Sequence, residues 1–505
     1  MTWVTVALTA LWVVPFVAAA ILRWGVRGAT KQRIVSLAAA WPVFFLALAL
    51  FVHESVDREY TTDHLEVGLG PLHAHFAVDG LNAVLLPLTA AIVVAALIMT
   101  PRADMRVGLA ARILVVEGAL MGSFLALDAG MLAGFVALSL VPQWLDARAN
   151  GPRALRVVTS TVLAVTVVAL TAAMIVLGIE ASQVAGLEYP LDLVDLAANP
   201  YTPSPWIGAL VLAVALLRMG IVPLHLWIPA AAQHGNGHLA AVTLLTPLGS
   251  FMLARLALAI FPRVLDPAAP LLLYIGVGTA IYGALLAVGQ VDLRRVIAWF
   301  WVSQSGLVLA GFAGLNDASV SGALLQAMST VVECGGLMLL ALAVELRANT
   351  TDIRKLGGLA RKAPRMATGF LILSAAAVGF PGTISFVAED LVGQGLLRAH
   401  PVAVALLLVV TALNGITLWR AFKRTFLGPP SPHADDLRAF EDLRTWEYLT
   451  IVAMTGTLLV GGFMPEPLLA VRRGVVEAIK RVEHPGEAAS EHADAGHDAG
   501  HDGGL

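Results

Sequence analysis

The chain has 505 residues, of which 58% are hydrophobic and only 13% are charged. Its mean hydropathy of +0.80 lies far above the values of soluble globular proteins, so a soluble enzyme or a soluble binding domain is excluded. The formal net charge of −3 is uninformative by itself, and no nucleic-acid partner is expected. The single cysteine, Cys334, excludes both a disulfide framework and a thiolate-held cluster in this chain.

Apolar runs of about 20 residues, the length that crosses roughly 30 Å of hydrocarbon as a helix, recur along almost the whole chain. They predict fourteen transmembrane spans, at residues 3–22, 34–52, 81–100, 110–126, 129–145, 155–178, 205–230, 238–261, 270–289, 294–314, 318–346, 367–393, 401–425 and 446–470. The first run lacks a charged n-region and a cleavage site, so we expect a retained helix and not a signal peptide. The predicted fold class is an all-α polytopic membrane protein without a soluble domain.

Basic residues collect in alternate loops, a pattern typical of the cytoplasmic side. These loops follow spans one, three, five and eleven, and contain Arg23, Arg27, Lys31, Arg33, Arg102, Arg106, Arg112, Arg148, Arg153, Arg156, Arg347, Arg354, Lys355, Arg361, Lys362 and Arg365. The intervening loops are acidic, with Asp57, Glu59, Asp63, Glu66, Glu180, Glu188, Asp192 and Asp195. We therefore expect a multi-pass protein of a bacterial inner (plasma) membrane with both termini outside.

The C-terminal region departs from this charge rule. Its basic residues are Arg472, Arg473, Lys480 and Arg481. They fit an amphipathic surface helix over residues 466–482. Residues 483–505 form a His/Asp/Gly tail that is expected to be disordered. Its histidines leave loose metal binding as an alternative, although a solvated tail is favoured; they are His484, His492, His497 and His501.

Two predicted spans contain helix breakers beside ionisable residues. The stretch "LLRMGIVPLHLWIP" contains Arg218, Gly220 and Pro223, and the stretch "VGFPGTISFVAED" contains Gly379, Pro381, Gly382, Glu389 and Asp390. Proline removes a backbone hydrogen bond, and in lipid the freed carbonyls need protein or a water-filled cavity. We predict that both breaks face inward. The alternative is that the prolines only kink their helices, since proline and glycine are common in membrane helices.

The seventh and twelfth spans lie five apart with one reversal of direction between them, which predicts two inverted five-helix repeats with ion sites at discontinuous helices. The predicted divisions are residues 1–108 for helices 1–3, 109–262 for the first repeat, 263–428 for the second repeat, 429–482 for helix 14 with the amphipathic segment, and 483–505 for the tail.

A charge near mid-bilayer costs at least about 2.5–3.5 kcal/mol, so each needs a partner, a cavity or a function. The candidates for a proton pathway are Glu117, Arg218, His225, Glu333, Glu389 and Asp390. We interpret the acids as relay sites, and the alternative is a neutral carboxylic acid hydrogen-bonded between helices. Arg218 keeps its proton and would act as a fixed counter-ion. His225 is a candidate for lining a hydrated path, and His234 and His238 are expected to be loop or interface residues.

Six stretches carry a resemblance to a known family. They are "FAVDGLNAVLLPLTA", "FLALDAGMLAGFVALSLVP", "RMGIVPLHLWIP", "VDLRRVIAWFWVSQSGLVLAGF", "TDIRKLGGL" and "GFPGTISFVAE". Between residues 75 and 428 the chain resembles the antiporter-like subunits of bacterial respiratory complex I (NADH-quinone oxidoreductase), and most of all the M-type (chain 4) subunit. The resemblance implies fourteen helices with two inverted repeats. It also implies that charged residues inside the membrane carry protons, driven by redox chemistry in other subunits.

The family's charged positions are only partly kept. Glu389 matches the terminal proton-site glutamate, and Arg218 stands in place of a lysine. The family's glutamate, second lysine and histidine fall on Ala137, Pro247 and Thr330, and Gln304 stands where a "VSHMG" motif has histidine. In the family the glutamate and lysine form a switching ion pair, a coupled titration that this chain cannot make in the usual form. Glu117 and Glu333 are hypothetical substitutes for the missing acid and histidine.

The sequence therefore predicts a proton-translocating antiporter-like membrane subunit of an assembly related to NADH-quinone oxidoreductase. It is expected to hold no cofactor or metal, to contact other membrane subunits, and to meet quinone and NADH only through them. One alternative is a proton- or cation-conducting subunit of a specialised paralogous complex, for inorganic-carbon uptake, sodium/proton antiport or membrane-bound hydrogenase. The other is a structural membrane subunit that no longer conducts.

Overall fold

The computed structural model describes residues 3–56, 64–69, 72–106, 108–184, 186–199, 202–429 and 440–470. The predicted tail and most of the predicted amphipathic segment lie outside the described residues. The N-terminal part contains four helices and a hairpin: α1 (Trp3–Trp24), α2 (Ala29–Val56), β1 (His64–Leu69), β2 (Leu72–Ala77), α3 (Leu85–Met99) and α4 (Arg102–Arg106). The two strands are antiparallel, with His64 opposite Ala77 and Leu69 opposite Leu72.

The middle of the chain is helical and contains the first break. Its helices are α5 (Leu109–Leu125), α6 (Ala129–Asn150), α7 (Arg153–Val184), α8 (Leu193–Ala198), α9 (Pro205–Met219), α10 (Trp227–His234), α11 (Gly237–Leu244) and α12 (Leu248–Met252). A π-helical turn, Leu253–Leu258, continues α12. Within it, Arg255 Nη1 lies 2.5 Å from Asp79 Oδ2, which joins the end of this helix to the segment before α3.

The remaining helices contain the second break. They are α13 (Pro262–Gly289), α14 (Leu293–Phe312), α15 (Asp317–Ala348), α16 (Pro364–Ala376), α17 (Ile384–Leu397), α18 (Pro401–Phe426), α19 (Thr445–Phe463) and α20 (Glu466–Ala470). A short 3-10 turn, Leu359–Arg361, precedes α16.

Ten helices of the described residues are long and apolar enough to cross a membrane. The other predicted spans correspond to shorter apolar helices, such as α3 and α9, or to the two halves of a broken span. The chain is a multi-pass, mostly helical membrane protein, as the sequence predicts. The exact number of spans and the repeat boundaries stay predictions.

Burial separates central from peripheral helices. The most apolar windows of α14 and α15 are 94% and 100% buried within the chain, whereas those of α2, α7 and α18 are 33% buried. The peripheral helices therefore present apolar side chains outward, as expected for contact with lipid or with other membrane proteins. The central helices carry the polar groups described below.

Matched features recur at corresponding places in the two predicted repeats. Asp128 and Asp292 cap α6 and α14, each accepting a hydrogen bond from the backbone N–H three residues further on, at 2.8 and 3.1 Å. Each aspartate also lies in an isolated antiparallel bridge, Asp128 with Asp192 and Asp292 with Asp352. The same cap and the same bridge at a spacing of five spans support the predicted internal repeat.

Candidate functional site

The first break lies between α9 and α10. Helix α9 ends at Met219, and Gly220 has φ +79°, a left-handed conformation that favours glycine. The N–H groups of Gly220 and Ile221 both donate to Leu216 O, each at 3.0 Å, which satisfies one of the last carbonyls of the helix. Pro223 follows, after a cis peptide bond, and the chain resumes as a helix at Trp227.

The second break, between α16 and α17, has a similar construction. Gly379 has φ +68°, its N–H donates to Ala376 O at 3.0 Å, and the N–H of Phe380 donates to Ala375 O at 3.1 Å. Pro381 and Gly382 follow, and α17 begins at Ile384. Both breaks are thus glycine-terminated helix ends followed by proline.

Arg218 is buried one residue before the end of α9, at 3% exposure. Its Nη2 lies 3.4 Å from Ser139 Oγ, and its guanidinium lies 5.5 Å from the centre of the Trp227 ring. Its Nε and Nη1 have no hydrogen-bond partner among the described residues, and no described carboxylate pairs with it. The cation is therefore held by a hydroxyl and an aromatic ring, with no acid as its partner.

Glu117 and His225 lie apart from Arg218. Glu117 is fully buried in α5, and neither carboxyl oxygen has a hydrogen-bond partner among the described residues. It forms no ion pair with Arg218, so this arrangement does not provide the predicted substitute pair. His225 is buried against Tyr282 and Trp299, with ring centres 5.3 Å from each. The structure therefore places His225 in an aromatic cluster.

Glu333 lies at the centre of a buried hydroxyl network. The hydroxyl of Ser385, in the first turn of α17, donates to Glu333 Oε1. The hydroxyl oxygens of Ser385 and Ser329 lie 2.7 Å apart, and all three residues are fully buried. Glu333 Oε2 has no hydrogen-bond partner among the described residues. This network joins α15 to the helix that follows the second break.

Glu389 lies one turn after Ser385 on α17, against the second break. Its Oε2 accepts a hydrogen bond from Thr411 Oγ1 at 3.0 Å, and a Cβ added at Gly379 would lie 3.2 Å from the same oxygen. Through Ser385, on the same helix, Glu389 is connected to the network around Glu333. Asp390 is exposed instead, and its Oδ2 accepts from Gln394 Nε2 at 2.6 Å. The two adjacent acids therefore face different surroundings.

A chain of amides approaches the second break from the other side. Gln304 Nε2 donates to the carbonyl of Ala377 at the end of α16, at 3.3 Å, and Gln326 Nε2 donates to Gln304 Oε1 at 3.1 Å. Thr330 Oγ1 donates to Gln326 O at 2.5 Å. One carbonyl exposed by the break is thus satisfied by protein, as a membrane interior requires.

A small cavity of about 20 Å³, lined by both polar and apolar side chains, lies between the two halves of the chain. Its walls include Thr246, Pro247, Ser250, Gln304 and Thr330. Since a cavity needs about 10–15 Å³ to hold one water molecule, this one is large enough for a single water. Pro247, Gln304 and Thr330, the positions at which the resemblance implies charged residues or histidine, therefore line one common space.

The structure brings together some of the predicted residues and separates others. Glu333, Glu389 and Gly379 lie in one region, whereas Glu117, Arg218 and His225 do not contact it or each other in the contacts of the described residues. Sequence reasoning did not find the uncharged members of these networks, namely Ser329, Ser385, Thr411 and Gln326. The spacing of Ser329 to Glu333 and of Ser385 to Glu389, four residues on one helical face, was the available signal.

Gly379 provides a test of the second break. Gly379→Ala is expected to lower the free energy of unfolding by about 1–2 kcal/mol, because a Cβ is disfavoured at positive φ, and to disturb the Glu389 carboxylate that lies against it. Gly393→Ala on α17 is the matched control, since a Cβ there meets nothing within 4 Å. Thermal unfolding of both purified variants checks this, and equal stability would contradict the close approach of the break and Glu389.

These features define a multi-pass helical membrane protein with two glycine-terminated breaks, with the half-buried Glu389 against the second break and the buried Glu333 bonded to the helix that follows it. The family model described as "NADH:quinone oxidoreductase/Mrp antiporter, TM" matches residues 117–415, more than half of the chain. The chain belongs to this family.

Individual relatives agree with this assignment. NADH-quinone oxidoreductase subunit M of Pseudomonas aeruginosa is 26% identical over 427 residues, which cover 81% of this chain and 82% of that protein. The corresponding subunit M of Rickettsia typhi is 28% identical over 257 residues, 50% of this chain and 52% of that protein. The match thus spans about half the length of several of the curated relatives.

Among solved structures, the chain is similar to a chain of respiratory complex I from Thermus thermophilus. The TM-score is 0.83 at 25% sequence identity, and the match covers 94% of this chain and 99% of that one. The fold of the described residues is therefore that of an antiporter-like membrane subunit, including the region outside the family model.

Proposed function

We propose that the chain is a proton-translocating, antiporter-like membrane subunit of an assembly related to NADH-quinone oxidoreductase. The observation that carries this proposal is the position of Glu389, whose carboxylate lies against Gly379 of the second break, one turn along α17 from Ser385, which donates to Glu333. A broken helix beside an ionisable residue is the arrangement in which membrane transporters bind their ions.

The proposed path runs through the second half of the chain. Glu333 and Glu389 are its two exchangeable groups, and Ser329 and Ser385 are hydroxyls that both donate and accept protons in hydrogen bonds. The unpartnered oxygens, Glu333 Oε2 and Glu389 Oε1, are free to accept a proton or a hydrogen bond from water. Asp390 is proposed to lie at the exposed end of this path.

The first half would take part differently. Arg218 keeps its proton, and its lack of an acidic partner among the described residues means that it cannot form the family's switching pair. We propose that it acts as a fixed positive charge buried in the first half of the chain. This altered half also favours, as a second candidate, a cation- or proton-conducting subunit of a specialised paralogous complex.

The proposed setting is a bacterial inner membrane with both termini outside. The basic loops predicted to be cytoplasmic support this orientation. Other membrane subunits are the proposed partners, and they would bind quinone and NADH and supply the driving energy. The exposed apolar faces of α2, α7 and α18 are available for such contacts.

Reconstitution of the full chain into liposomes tests the proposal. An imposed inside-negative potential is expected to drive proton uptake, reported by an internal pH dye, above the rate of empty liposomes. Replacing external sodium by choline leaves a proton path unchanged and abolishes sodium-coupled exchange. Uptake equal to that of empty liposomes, from protein that is folded and monodisperse, would contradict conduction by this chain and favour a structural subunit.

A further inference from the structure

A large groove lies at the end of the helical bundle where α1 ends, α5 begins and α6 ends. Its volume is about 1040 Å³. This exceeds the range of about 300–1,000 Å³ that is common for small-molecule pockets. Its lining comes from the last turns of α1, the loop to α2, and the facing sides of α5 and α6. The groove is separate from the two breaks and from Glu333 and Glu389.

The mouth of the groove carries positive charge without compensation. Arg23 and Arg27 line it, both are exposed, and neither forms an ion pair with a described residue. Arg112 also lines the groove, but its Nη1 lies 2.8 Å from Asp146 Oδ1, so its charge is already paired. Two guanidinium groups therefore remain to bind an anion, and guanidinium suits the oxygen atoms of phosphate.

The walls of the groove are apolar. Phe16 and Ala20 of α1, Val115 of α5, and Val141 and Leu145 of α6 contribute to them. Leu145 is 45% exposed within this chain. A free phosphate ion would not bury these apolar walls, whereas a hydrocarbon chain that covers them buries apolar surface, which is favourable.

Trp24 fixes where this site lies relative to the membrane. It is 82% exposed at the end of α1 and lines the groove beside the two unpaired arginines. Tryptophan is enriched at the membrane–water interface, with its ring at the level of the lipid headgroups. The charged mouth is therefore at headgroup depth, and the apolar walls extend toward the hydrocarbon.

We propose that this groove binds an anionic phospholipid, with its phosphate at Arg23 and Arg27 and an acyl chain along the walls formed by α1, α5 and α6. Charge complementarity selects the occupant, since a zwitterionic lipid offers no net charge to two unpaired cations. In the orientation proposed above, the site lies in the cytoplasmic leaflet, where anionic lipids attract basic residues.

Native mass spectrometry of the delipidated full chain tests the site, with phosphatidylglycerol and phosphatidylcholine of equal chain length as probes. Phosphatidylglycerol is expected to bind at least about tenfold more tightly, and the double substitution R23Q and R27Q is expected to weaken it about 25-fold, or about fivefold for each arginine. The matched control, R153Q and R156Q, removes two exposed arginines outside the groove and is expected to change binding less than about twofold.

Ala20→Trp tests the apolar wall and is expected to weaken both lipids, while the arginine variants weaken only phosphatidylglycerol. Equal binding of the two lipids by the wild type would overturn the proposal, as would equal losses in the groove and control variants. Displacement of the lipid by inorganic phosphate would show a simple anion site, and a lipid-sensitive dimer would show a second copy as the occupant. Thermal unfolding establishes that each variant is folded, and none of these results depends on proton flux.

Discussion

Ser385→Ala is expected to reduce proton uptake by the reconstituted protein about tenfold, the effect of a barrier raised by about 1.4 kcal/mol. The hydroxyl of Ser385 donates to Glu333 Oε1 and lies 2.7 Å from the hydroxyl of Ser329. Alanine removes the only hydrogen bond that the described contacts show between Glu333 and α17, the helix that carries Glu389. It also leaves a buried carboxyl oxygen without its partner, at a cost of about 1–3 kcal/mol in stability.

Ser374→Ala is the matched control for this change. Ser374 is also a buried serine beside the second break, on α16, but its hydroxyl has no hydrogen-bond partner among the described residues. Its removal should leave both flux and stability close to those of the wild type. If the two variants conduct equally well, the network around Glu333 serves packing and not proton transfer.

Ser139→Asp is expected to raise the free energy of unfolding by about 1.5–3 kcal/mol, the range for hydrogen bonds to charged groups. Arg218 Nη2 lies 3.4 Å from Ser139 Oγ, so an aspartate there places a carboxylate next to a buried cation that has no acidic partner among the described residues. Thermal unfolding in detergent measures the effect. The new ion pair would also stand in for the glutamate–lysine pair that the resemblance implies at Ala137 and Arg218.

Ser303→Asp provides the opposite case. Ser303 is equally buried, but its hydroxyl donates to Ala280 O at 2.9 Å and accepts from Asn414 Nδ2 at 3.0 Å, with no cation among these partners. A carboxylate there is expected to destabilise the protein by about 3–5 kcal/mol, as an uncompensated buried charge does. Destabilisation by both substitutions would show that Arg218 is already compensated.

The helical class and the places of the breaks could be predicted because they depend on local chemistry. Long apolar runs specify membrane helices, and the Gly-Pro pairs specify helix ends at Gly220 and Gly379, where the structure shows positive φ. Two predicted spans contain helices shorter than their apolar runs, since α3 and α9 are only 15 residues long. Their shortness reflects adjoining turns that hydropathy averages over.

The site could be predicted only in part, because it depends on contacts between distant segments. Glu333 and Glu389 were identifiable as acids in apolar spans, but Ser385 and Gln304 act through neighbours 52 and 73 residues away, respectively. In the sequence only the family resemblance separates Glu389 from Asp390, whereas the structure itself places Glu389, and not Asp390, against the break. Glu117 looked like a substitute for the missing acid, yet it has no partner among the described residues.

Proton uptake by liposomes that contain the Glu389→Gln variant tests whether Glu389 exchanges protons along the proposed path. We predict that the rate of proton uptake falls about tenfold or more in Glu389→Gln. Glu389→Asp keeps a titratable group and is expected to recover part of the rate. Asp390→Asn, whose side chain is exposed, is expected to keep at least half of the wild-type rate. Glutamine preserves the shape and the hydrogen bond from Thr411, so a fall would report the loss of the exchangeable proton. Equal rates for the wild type and Glu389→Gln would contradict the proposed path.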